Sequence, residues 1–143
     1  MTRVFDAPRR LVFEAWTRPD LVKRWLGARA GWTFAVCEID LSVGGKYRYL
    51  WKGPNGVQMG MGGVFQEITP PERLVVTEKF DESWYPGEAV STTVFTERAG
   101  KTTTVLTVRY ESKEARDAVL ATPMAEGVSE SFDMLARVLT TLA

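Results

Sequence analysis

Between Thr33 and Tyr110 apolar and polar side chains alternate with a period of two, the pattern of strands that bury one face. The alternation is cleanest over Lys46 to Lys52, where Tyr47, Tyr49 and Trp51 share one face and Arg48, Leu50 and Lys52 the other. Turn chemistry divides the rest. A first strand runs from Thr33 to Leu41 and stops before Gly44-Gly45. Pro54-Asn55-Gly56 predicts a hairpin turn, because proline presets φ and Asn-Gly tolerates positive φ. The return strand spans Val57 to Ile68, Pro70-Pro71 ends it, and Arg73 to Phe80 follows. A loop containing Trp84, Pro86 and Gly87 leads into Ala89 to Glu97, and Ala99-Gly100-Lys101 turns the chain into Thr102 to Tyr110. Sequential strands joined by short turns predict an antiparallel meander.

On either side of the meander the spacing becomes helical. Thr2 to Phe5 reads as a short strand, after which Asp6 is expected to cap a helix that Pro8 helps to start. Val12 and Trp16 share a face of that helix, with Phe13 close by. Pro19 starts a second helix with Leu21 and Trp25 as its apolar pair, and Gly27 and Gly31 bracket the exit loop. Ser112 caps a short helix over Lys113 to Ala121. Thr122-Pro123 then opens the last helix, in which Met124, Val128, Phe132, Leu135, Leu139 and Leu142 draw one apolar stripe. Glu126, Glu130, Asp133 and Arg137 fall away from it. The pattern predicts an α+β fold, with residues 1–143 as a single domain and no internal repeat.

Composition narrows the partners. The 18 basic and 18 acidic residues cancel, so neither nucleic acid nor an anionic membrane surface is expected. No apolar run reaches the roughly 20 residues that cross a bilayer, so no membrane insertion is expected. Asp6, Arg9 and Arg10 interrupt any leader-peptide core. Cys37, alone in the chain, has no partner for an intrachain disulfide, which fits a cytoplasmic location. The chain has no histidine, the commonest general base and metal ligand. Neither a metal site nor any other cofactor is expected, and histidine-dependent triads are excluded.

At this point the order of motifs resembles a known family. Val4-Phe5-Asp6-Ala7-Pro8, Val12-Phe13-Glu14-Ala15-Trp16-Thr17 and Arg24-Trp25 resemble the opening of bacterial proteins related to the activator of the heat-shock protein 90 ATPase. That family lies in the START, SRPBCC and Bet v 1-like superfamily. The likeness continues through Asp40-Leu41, Val43-Gly44-Gly45, Pro54-Asn55-Gly56 and Gly63-Val64-Phe65-Gln66-Glu67-Ile68. It ends with Pro71-Glu72-Arg73-Leu74 and Gly127-Val128-Ser129-Glu130-Ser131, covering nearly the whole chain. The resemblance implies a helix-grip fold: a curved antiparallel sheet wrapped around a long C-terminal helix, with an apolar cavity between them. It also implies a range of functions, from binding apolar small molecules to co-chaperone activity and cyclisation chemistry. Three departures remove bulk or polarity near that cavity. Trp25-Leu26-Gly27-Ala28 stands where relatives often carry two tryptophans and Gly-Pro, Val128 replaces a frequent tryptophan, and Gln58-Met59-Gly60-Met61-Gly62 lacks a polar residue common in relatives.

Several residues have two readings. Tyr47, Tyr49 and Trp51 either fill the core or line a pocket with their polar tips as handles. Met59 and Met61, beside glycines, suit either a core or an adaptable apolar wall. Glu78 shares parity with Leu74, Val76 and Phe80. If that face turns inward it becomes a cavity carboxyl with a raised pKa, a candidate catalytic base; otherwise it is a rim glutamate. Glu38 and Asp40 carry the same ambiguity by their parity with Phe34 and Val36. Cys37 reads as a packed small residue, and Gly60, Gly62 and Gly63 as a bulge or bend that curls the sheet.

The candidate ligand-binding residues are Trp25, Tyr47, Tyr49, Trp51, Met59, Met61, Phe65, Val76, Trp84, Met124, Val128 and Phe132. The leading expectation is a binder of an apolar or aromatic small molecule. A cofactor-independent enzyme using a cavity carboxylate or tyrosine is the alternative, and a co-chaperone-like interaction module ranks last, with no chaperone partner expected. A homodimer is compatible with the sequence.

Overall fold

A computed structural model describes residues 1–27, 31–81, 87–122 and 124–142, the side chains of 124 and 125 excepted. Among the described residues seven strands form one antiparallel sheet: β1 (Thr2–Phe5), β2 (Thr33–Ile39), β3 (Lys46–Lys52), β4 (Gln58–Thr69), β5 (Arg73–Phe80), β6 (Ala89–Arg98) and β7 (Lys101–Arg109). Their order across the sheet is β1-β7-β6-β5-β4-β3-β2. The expected meander is present from β2 to β7. The period-two pattern does not say where β1 goes; it closes the far edge against β7, with Phe5 opposite Thr102. Buried Thr102 and Thr104 fasten that edge, donating to the Ala7 carbonyl at 2.7 Å and the Arg3 carbonyl at 3.2 Å.

The described residues also form four α-helices: α1 (Arg9–Thr17), α2 (Pro19–Trp25), α3 (Lys113–Leu120) and α4 (Met124–Thr140). The sheet curves around α4 in a helix-grip arrangement. Phe132, Leu135 and Leu139 of the expected stripe are buried, and Val138 joins them. Phe132 meets Phe5 edge-on at 5.9 Å and lies 5.6 Å from the Trp16 ring, so α4, α1 and the sheet share one core. Ser112 caps α3 by accepting the Ala115 amide, as its position predicts. No described helix is long and apolar enough to cross a membrane.

Three local expectations are corrected. Asp6 does not cap α1: the residue before the first turn is Pro8, and Asp6 stands too far upstream for its side chain to cap the first-turn amides. Glu38 and Asp40 do not face inward, because an extra residue at Ala35 bulges β2 and reverses parity. Phe34 lies opposite Trp51 but Val36 opposite Leu50, so Cys37 and Ile39 join the core while Glu38 is exposed across from Arg48. Finally, Gly60, Gly62 and Gly63 sit in unbroken register with β3; the bulge of β4 falls later, between Phe65 and Glu67. These glycines serve close approach instead. A side chain on Gly63 would overlap the Thr77 carbonyl, and one on Gly60 would collide with the Arg48–Asp81 ion pair.

Candidate functional site

The inward faces of the strands and the facing helices line a cavity of about 500 Å³ that opens to solvent at one side. Its floor is the alternation of β3: Tyr47, Tyr49 and Trp51 are buried with ring centroids 5.0 and 5.9 Å apart in sequence. Two of their polar tips are tied back to the backbone. Tyr47 donates to the Thr77 carbonyl at 2.6 Å, and the Trp51 indole to the Leu26 carbonyl at 3.2 Å. The Tyr49 hydroxyl, by contrast, has no hydrogen-bond partner among the described residues.

Register carries the wall onward. Met59 and Met61 of β4 stand opposite Trp51 and Tyr49, and Phe65 faces Val76 of β5. Met59 keeps 38% of its surface exposed and so marks a rim. Leu74, Val76, Glu78 and Phe80 line the cavity from β5, which places Glu78 on the inward face. Trp16 and Trp25 close it from α1 and α2, and Val128, Ser131 and Phe132 from α4. At the Trp51 end the chain adopts a positive φ of 66° at Gly27, whose amide donates to Ser131 at 3.0 Å. A side chain there would strike the Trp51 indole, so glycine permits this closure.

Glu78 gives the site its one carboxyl among the described lining residues. Burial pushes it up to about 7, against a smaller opposing effect from the hydrogen bond with Ser91. Tyr49 is raised by burial, then by the charges of Cys37 and Glu78. Tyr110 is raised for the same reasons, burial first and Glu78 second. Cys37 is not in the wall; burial lifts its thiol to about 11, only partly offset by Lys23. Its sulfur lies 3.8 Å from the Pro19 carbonyl.

Ten of the twelve residues proposed from sequence as ligand contacts line this cavity; Trp84 and the Met124 side chain lie outside the described residues. The reading of the sequence missed Ser91 and Thr93 on β6, Leu106 and Val108 on β7, and Trp16, Trp32 and Gly27. Parity could have found the β6 pair, since Ala89, Ser91, Thr93 and Phe95 are all buried. Val90 and Val94 on the opposite face mask that signal, because both faces of the strand contain apolar residues.

Residues 6–140 match the sequence model of the family described as activator of Hsp90 ATPase homolog 1-like protein. No curated protein matches the chain. A solved structure of a Rhodobacter sphaeroides protein is 34% identical with a TM-score of 0.92, covering 100% of this chain and 92% of that one. An Arthrobacter aurescens protein is 26% identical with a TM-score of 0.83, covering 98% and 84%. A Mycobacterium smegmatis protein, 24% identical with a TM-score of 0.83 and covering 96% and 87%, shares the fold.

Proposed function

From the premise that the chain belongs to the activator of Hsp90 ATPase homolog 1-like family, we propose that it binds an apolar or aromatic small molecule between its curved sheet and α4. The fold commonly holds hydrophobic ligands. The observation that carries the reading is the cavity of about 500 Å³, walled mainly by aromatic and aliphatic side chains. A ligand burying about 300 Å² of apolar surface would gain on the order of 7 kcal/mol before ordering costs. Native mass spectrometry of freshly purified protein, followed by thermal shifts against hydrophobic compounds, tests the reading. A stoichiometric passenger, or a raised melting temperature without turnover, supports it. An empty mass together with no shift across the series would count against it.

One observation favours a second reading, a cofactor-independent enzyme. A carboxyl in the cavity poised at about 7 suits a general base working near neutral pH. Under that reading Glu78→Gln abolishes turnover while apolar ligands still bind. Undiminished turnover in the variant would remove Glu78 as the base.

A further inference from the structure

We propose that the cavity selects lipophilic amines, ligands with an aromatic or aliphatic body and one basic nitrogen that lodges against Glu78. The inference rests on the binding reading above and adds a charge preference to it. Among the described lining residues Glu78 is the one carboxyl, and no lysine or arginine joins it. Ser91 is the residue that hydrogen-bonds to it, and among the described residues of the lining no cation pairs with its carboxylate. The described titratable groups that feel it are Tyr49 from β3 and Tyr110 just beyond β7, and both resist ionisation. Among the described residues the site thus has the anion of an ion pair and lacks the cation.

An ammonium ion supplies it. The bound pair is neutral overall, so the cavity gains a charge-assisted hydrogen bond without holding net charge. The rings of Tyr49, Trp51 and Trp25 add π faces in the same enclosure, which attract cations and not anions. The free Tyr49 hydroxyl offers an oxygen that can accept from the same nitrogen. A ligand carboxylate would meet Glu78 as a like charge, and an alcohol of the same shape would donate a hydrogen bond to Glu78 but bring no positive charge to pair with it. Binding of the ammonium ion displaces the Glu78 proton to solvent. Affinity for an amine should then rise with pH across the titration of Glu78, while the amine itself stays protonated.

Calorimetry with three ligands of one shape tests this: 2-(1-naphthyl)ethylamine, 2-(1-naphthyl)ethanol and 1-naphthylacetate. At about pH 8 the amine should bind at least about tenfold tighter than the alcohol, and the carboxylate weakest. The ratio of amine to alcohol affinity should shrink toward one at about pH 5 and in Glu78→Gln. Titrations in two buffers of different ionisation enthalpy should reveal proton release on amine binding near pH 7, a readout that needs no variant. Equal binding of amine and alcohol, or tighter binding of the carboxylate, would overturn the amine preference and leave the cavity reading standing. Binding of none of the three would overturn both.

Discussion

A carboxyl group buried without a cation destabilises the fold whenever it ionises. Glu78 has an ordinary value of 4.5 and a folded value of about 7. The folded state holds the proton more tightly, so this contribution to stability is full below pH 4.5 and is lost as pH rises through about 7. The difference is on the order of 3 kcal/mol. The chain has no histidine, so no imidazole titration overlies that window. Urea denaturation of the ligand-free protein at a series of pH values should show wild type losing stability relative to Glu78→Gln between about pH 5 and pH 8. A difference that does not change with pH would mean that the carboxyl is hydrated in the folded state. Cys37 makes the opposite case, a group made inert by burial. With its thiol at about 11, alkylation near pH 8 should be at least about a hundredfold slower in the native protein than in urea. Comparable rates would show that the thiol is open to solvent.

At the level of elements, the pairing of β4 with β5 depends on where backbone is allowed to come close. Gly63 lies opposite Tyr47, and Thr77 on the next strand turns its carbonyl toward the Tyr47 hydroxyl and its own hydroxyl toward the Val64 amide. An added methyl at Gly63 has no room, so Gly63→Ala should lower stability by about 2–3 kcal/mol in chemical denaturation. Gly56, with a φ of 76° and no atom near its missing side chain, should lose only about 1 kcal/mol for the same change. Equal losses would mean that the β4–β5 crowding at Gly63 relaxes freely. The contrast shows what the sequence carries and what it does not. Lys46–Lys52 and Arg73–Phe80 are legible to the residue because turn residues flank both, and the first also alternates cleanly. Glu38 was unreadable because Ala35 bulges without any glycine or proline to mark it, and one inserted residue reverses every face that follows. The β6 wall was hidden for a different reason: Ser91 and Thr93 are small polar residues buried by their strand neighbours, and nothing in their own chemistry asks for burial.

Across the whole molecule the cavity sets an energetic condition. Interiors normally pack without voids much larger than a water molecule. An apolar pocket of about 500 Å³, open at the rim that Met59 marks, is far larger than any void that close packing leaves. The site therefore has to hold ligand or water, and exchanging water for an apolar ligand is what gives such a site its affinity. Val128 is where this can be tested. It lines the cavity from α4, half-buried beside the Phe132 turn, at a position where an indole would extend into the open volume. Val128→Trp should weaken binding of 2-(1-naphthyl)ethanol by at least about tenfold while the melting temperature of the unliganded protein holds or rises, because apolar contact replaces hydrated space. A ligand seated on the outer face of the sheet would be indifferent to the change. Unchanged affinity with the cavity filled would move the binding site away from α4, whereas lost affinity with lost stability would show that the wall cannot accept the added ring.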